Sequence, residues 1–184
     1  HPLPETRIAE ARSRAANYPQ RAPTNDTDFQ FAKARIQVRY SSETPEGMLD
    51  YFQRQLTRQP ELRDSLIYGK ALALLELKRS KEAAPLVQEL SRRYPDDLFI
   101  LDTQSDIDLA ANRTQEAIKR LEGRYKTLPD NGVVVFNLAS AYLQTGQVAK
   151  ATRMLDLFVR NNPDSSLGWQ MLTDAYQQSG DQTN

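Results

Sequence analysis

The sequence predicts an all-α fold, a solenoid of stacked helix-turn-helix units wound into a right-handed superhelix. Three observations predict it. Residue types return every 34 positions, as in Pro95, Pro129 and Pro163, in Ala83, Ala117 and Ala151, and in Val87, Leu121 and Leu155. Two further ladders share the register: Ile67, Leu101, Val135 and Trp169, and Lys78, Asn112, Gly146 and Gly180. Within each period the apolar residues fall at helical spacing, and only 7 of 184 residues are glycine, which favours helix nearly throughout.

The opening stretch, residues 1–26, is not a repeat. "LPETRIAEARSRAANY" places Leu3, Ile8, Ala11 and Ala15 at loosely helical spacing, and "PQRAPTND" is a polar, proline-bearing link, so a short helix plus linker is expected. Repeats then fill 27–184 as units of about 27–61, 64–97, 98–131 and 132–165, with a partial unit 166–184. In the first unit "DFQFAKARIQVRY" reads as helix A and "PEGMLDYFQRQLTRQP" as helix B. Gly47 precedes Ala83 by 36 positions, so a small insertion is expected around "PELR".

In the later units the Ile/Leu/Val/Trp ladder joins Leu138/Leu172 and Tyr142/Tyr176 on one face of helix A. The Lys/Asn/Gly ladder marks the turn, where glycine or asparagine accepts the left-handed conformation that ends a helix. Ser80 and Thr114 are expected to cap helix B, a small alanine marks close helix packing, and proline ends the unit. The chain stops at "GDQTN", where helix B of the last unit is due. The final helix A is therefore expected to bare an apolar side, a route to self-association.

Composition removes several classes of function. Lys plus Arg and Asp plus Glu are balanced at 24 each, so electrostatics offers no case for nucleic acid or an anionic membrane as partner. No apolar run approaches the roughly 18 residues of a membrane span. Without cysteine the chain has no thiol chemistry; its single histidine excludes a His-Glu-x-x-His zinc helix and, standing at position 1, leaves no usable triad base. Asp102, Asp106 and Asp108 lack the glycine-punctuated loop of a calcium site and read as an acidic helix surface. No catalytic residue and no metal ligand is expected within the chain.

The residues resemble a known family, the tetratricopeptide repeats, whose pattern is Trp-x2-Leu-Gly-x2-Tyr, then Ala-x3-Phe, then Pro. Val135, Leu138, Ala139, Tyr142, Ala151, Leu155 and Pro163 carry the resemblance, and Trp169, Leu172, Thr173 and Tyr176 carry it again. Lys70 and Gln104 depart from it where leucine is expected, and Asp108 where tyrosine is expected. The resemblance implies a groove lined by helices A and binding of extended peptides or partner helices. The groove positions it implies are Tyr68, Leu72, Leu75, Phe99, Asp102, Asp106, Leu109, Val133, Phe136, Ser140, Leu143, Gln170 and Asp174. Asn137 matches one position of the clamp by which some relatives hold a terminal carboxylate, and the rest of that clamp is missing, so a mixed apolar segment is the better ligand.

A closer resemblance covers essentially the whole chain. "HPLPETRIAEARSR", "DSLIYGKALALLELKRSKEAAPLVQEL" and the long stretch from "YPDDLFILD" to "DAYQQSG" resemble the C-terminal region of the β-barrel assembly-enhancing proteases, periplasmic zinc metallopeptidases of Gram-negative bacteria. This implies that residues 1–26 are the tail of a preceding peptidase domain, with His1 near the zinc of the intact enzyme. It also implies a periplasmic protease and chaperone whose repeats meet the β-barrel assembly machinery and immature outer-membrane barrel proteins. Zinc is then a cofactor of the intact parent and not of these repeats. A free-standing scaffold or adaptor, or a self-assembly module, is the alternative that the residues leave open.

Overall fold

A computed structural model describes residues 8–10, 12–14 and 26–181. Residues 8–10 and 12–14 are helical and exposed, while most of the expected peptidase tail, His1 included, lies outside the described residues. From residue 27 the elements run α1 (Thr27–Tyr40), α2 (Pro45–Arg58), α3 (Arg63–Glu76), α4 (Ser80–Arg93), α5 (Leu98–Ala110), α6 (Thr114–Tyr125), α7 (Gly132–Gln144), α8 (Val148–Asn161) and α9 (Ser166–Asp181). Among the described residues no strand occurs. A single 3-10 turn, Pro60–Leu62, stands between α2 and α3, at the "PELR" stretch. Odd-numbered helices play the part of helix A and even-numbered ones that of helix B.

The 34-residue period is visible in the turns from α3 to α4, α5 to α6 and α7 to α8. Lys78, Asn112 and Gly146 all have positive φ, at 59°, 57° and 71°. The next amide reaches back around each of them, Arg79 to Leu74 O, Arg113 to Asp108 O and Gln147 to Tyr142 O, each at 2.8 Å. The left-handed residue itself donates to Leu75 O, Leu109 O or Leu143 O. This paired closure satisfies the last carbonyls of helix A and enters helix B with no spare residue. The fourth rung behaves differently, because Gly180 lies within α9.

That tight entry corrects the expected caps. Ser80 and Thr114 are the first helical residues, and the N-cap positions are Arg79 and Arg113, which make no side-chain cap bond. In these later units the side-chain caps belong instead to the helices A α5, α7 and α9, while α3 has none. Asp97 accepts from Ile100 N, Asn131 from Val134 N, and Ser165 from Gly168 N, a rung that is itself spaced by 34. Asp26 caps α1 and Thr44 caps α2 in the same way, with Pro45 in the first helical position.

Helices pack where the ladders place small and branched residues. Ala83, Ala117 and Ala151 are fully buried, and Val87, Leu121 and Leu155 lie one turn further on at 1% exposure or less. α2 approaches α3 closely at Gly69, where an added Cβ would stand 2.2 Å from the Phe52 ring. Two apolar clusters result, one running from Phe31 to Ile107 and the other from Leu101 to Ala175. α5 serves both, through Ile100 and Ile107 on one side and Leu101 on the other.

Between the clusters α5 carries buried polar residues. Asp108, at the tyrosine position, is 5% exposed and is held by Arg113 at 2.7 Å and Arg120 at 2.6 Å, so its charge is neutralised from α6. Position 142 keeps the tyrosine, whose hydroxyl donates to Glu122 Oε1 at 2.6 Å. Burial, then that carboxylate, push the Tyr142 phenol well above its ordinary range. On α9 the same ladder positions are open, with Trp169 47% and Tyr176 56% exposed, and Leu167 joins them at 49%. The Trp169 indole still finds a partner, donating to Pro163 O at 2.8 Å.

Candidate functional site: the inner face of the solenoid

The helices A share a face on which the 34-residue register sets out rows of side chains. One row is Leu75, Leu109 and Leu143; the row a turn earlier is Leu72, Asp106, Ser140 and Asp174. Before these come Tyr68, Asp102, Phe136 and Gln170, and then Phe99 and Val133. Leu72, Leu75, Phe99, Leu109, Val133, Phe136, Ser140 and Leu143 are all half-buried, their inner halves packed and their outer halves open. Asp106, Gln170 and Asp174 are exposed.

One contact spans this face. Arg35 on α1 forms an ion pair with Asp102 on α5, 67 residues later. The two helices are separated by α3 in the stack, and α1 leans across it, its Phe31 ring also meeting Tyr94 at 5.3 Å between centroids. The Arg35 guanidinium also lies over the Phe99 ring, 5.5 Å from its centroid. Asp102 is engaged from the other direction as well, since the Asn137 amide on α7 donates to its Oδ1 at 2.8 Å and to Val133 O at 2.9 Å. Asp102 thus ties three helices A across the groove.

Beneath that crosspiece Tyr68 is fully buried, with its hydroxyl 3.1 Å from Thr103 Oγ1. The ring fills the space between α3 and α5, so it forms the groove's floor, where no partner can touch it. Asn137, 9% exposed, spends its amide within the chain and is not free to hold a carboxylate. The accessible lining is therefore narrower than the sequence expectation: the leucine rows, Phe99, Val133, Phe136, Ser140, Asp106, Gln170 and Asp174.

Asp106 differs from Asp102 by one turn and by its whole environment. Burial in the hollow, and then the neighbouring Asp102 charge, push its carboxyl up to about 6; Arg35 and Arg39 on α1 offset part of that. Its own edge touches solvent, yet protein surrounds it on the other sides. The three aspartates of α5 do not converge on a metal: Asp102 and Asp108 are each bonded to arginines, and Asp108 faces α6 rather than the groove. Among the described residues no group of three histidine, aspartate or glutamate side chains is placed to hold an ion. Among the described residues no helix is long and apolar enough to cross a membrane.

Sequence reasoning missed Arg35. The 3-10 turn puts α1 out of the 34-residue register, so no ladder points to it. The only signal was an arginine on the same helix as Phe31 and Ala34, both of which are core.

Comparison with known proteins agrees with this architecture. The family model described as tetratricopeptide repeat matches residues 108–177. A structure of the MamA RS-1 ArsTM double mutant superposes with a TM-score of 0.60 at 18% identity, over 85% of this chain and 87% of that one. The class of protein is thus an α-solenoid, in which residues 108–177 match the tetratricopeptide repeat, a repeat of protein-interaction modules.

Among sequences, the β-barrel assembly-enhancing protease of Escherichia coli is 38% identical over 178 residues, 95% of this chain and 36% of that protein. The putative β-barrel assembly-enhancing protease of Vibrio cholerae is 36% identical over 181 residues, 98% of this chain and 37% of that protein. The chain is homologous to those proteases and spans little more than a third of their length.

Proposed function

We propose that the chain is the partner-recognition module of a periplasmic metalloprotease and chaperone, and that its inner face holds segments of outer-membrane barrel proteins or of their assembly machinery. The observation that carries this reading is the half-open leucine row Leu75, Leu109 and Leu143 on the inner face, in a chain homologous to barrel-assembly proteases. An unpaired strand or amphipathic helix of an unfinished barrel offers the apolar side chains such a face buries. Holding that segment would supply a peptidase domain elsewhere in the protein with substrate at high effective concentration. Zinc and hydrolysis belong, in this proposal, to that other domain, and periplasmic location follows from it.

The reading is tested by titrating the folded chain against an unfolded outer-membrane barrel polypeptide kept soluble in dilute urea. Leu72→Asp and Leu109→Asp should each weaken binding by about tenfold or more, one buried apolar contact being worth 1.5–3 kcal/mol. Unchanged affinity in folded variants would remove the groove from the account.

A further inference from the structure

We propose that the segment held in the groove carries a basic side chain, lysine or arginine, among its apolar ones, and that Asp106 selects it. This deepens the preceding reading and rests on it.

Asp102 and Asp106 lie on the same face of α5 in opposite circumstances. Asp102 is bonded to Arg35 and Asn137, so its charge serves the fold. Asp106 makes no hydrogen bond or ion pair with any described residue. Its row companions on the neighbouring helices, Leu72 and Ser140, carry no charge, and Asp174, two units on, repeats the acid. Arg35 and Arg39 act on it from α1, and the first of these is already bonded to Asp102.

A carboxylate in a hollow beside a second carboxylate costs the folded chain free energy that asparagine there would not. Nothing in the packing requires an acid at this position, because leucine and serine occupy it in the adjacent units. A cation brought by the partner recovers that cost, and it meets a charge already stripped of part of its water. The geometry suits such a segment. Laid across α3, α5 and α7, it sets apolar side chains on Leu75, Leu109 and Leu143 and a basic one a single turn away on Asp106. An acidic segment would meet repulsion at Asp106 and again at Asp174, which gives discrimination as well as affinity.

The test is selection of a displayed library of random 12-residue peptides on the folded chain, on Asp106→Asn and Asp106→Lys, and on Ser140→Trp, which fills the groove from an open position. Wild-type selection should enrich apolar peptides bearing lysine or arginine, Asp106→Asn should lose the basic preference, and Asp106→Lys should turn it towards aspartate and glutamate. For a selected peptide remade in solution, Asp106→Asn should weaken binding by about threefold to tenfold, with a smaller loss at high salt. Apolar enrichment with no basic preference, or one that ignores residue 106, overturns the inference and leaves the groove standing. Enrichment that survives Ser140→Trp, or no enrichment at all, overturns the groove reading itself.

Discussion

Asp108 occupies a position that the next unit fills with Tyr142, and two arginines make the exchange tolerable. Arg113 and Arg120 stand where that unit has Gln147 and Met154, so three differences form one compensated set. Asp108→Ala should cost about 2–3 kcal/mol in chemical denaturation, because it leaves two arginines facing an apolar seam. Replacing the set together, with Asp108→Tyr, Arg113→Gln and Arg120→Met, should recover most of that loss.

Asp106 predicts the opposite sign. A carboxyl whose folded pKa is raised to about 6 from an ordinary 3.8 binds more protons folded than unfolded between those values, so it lowers stability as pH rises through that window. Asp106→Asn should leave stability unchanged below about pH 4. Above pH 6 it should raise it by on the order of 1 kcal/mol, after allowance for solvent contact. Denaturation across pH 3.5–7.5 checks both limits.

At this scale the sequence was only half legible. The Asp-for-Tyr departure was plain from the ladder, but its arginine partners stand in the following turn and on α6, and periodicity says nothing of such pairs. The same limit hid Arg35 and made Asp102 look like a free groove residue.

Among the elements, the turns were the most legible part. The ladder Lys78, Asn112, Gly146 and Gly180 marked the turns; the first three are left-handed, two of them with side chains that pay for it in strain, and Gly180 is helical. Lys78→Gly and Asn112→Gly should therefore each stabilise by about 0.5–1 kcal/mol, and Gly146→Ala should destabilise by about 1 kcal/mol, by thermal unfolding. The caps were less legible: hydroxyl residues near the start of helix B suggested Ser80 and Thr114, whereas the closure of the preceding turn makes them helical. The true capping rung, Asp97, Asn131 and Ser165, mixes three residue types, so identity alone conceals it. Gly69 also looked unremarkable until Phe52 was placed against it. Gly69→Ala should force the α2–α3 pair apart, at a cost of about 1–3 kcal/mol.

At the scale of the whole molecule, repetition explains both the shape and the purpose that the shape supports. Each unit buries its apolar faces against neighbours, and the stack gathers its helices A on one face, which the Arg35–Asp102 pair spans. The period alone predicted a solenoid and the rows along it. It did not predict which row members face outward, because a large side chain such as Tyr68 fills the gap between helices and becomes floor, while smaller neighbours stay at the surface. On α9 Trp169 and Tyr176, seven residues apart, share one open side, and Leu167 is exposed on the opposite side of the helix.

The central claim is that partner segments lie on the leucine-lined inner face. Backbone amide chemical-shift mapping of the isotope-labelled chain, titrated with a peptide from a transmembrane strand of an outer-membrane barrel protein, tests it most directly. The account predicts saturable shifts centred on Leu72, Leu75, Asp106, Leu109, Ser140 and Leu143, with little change on α4, α6 and α8. Shifts confined to those helices B, or to the end faces of the solenoid, would contradict it.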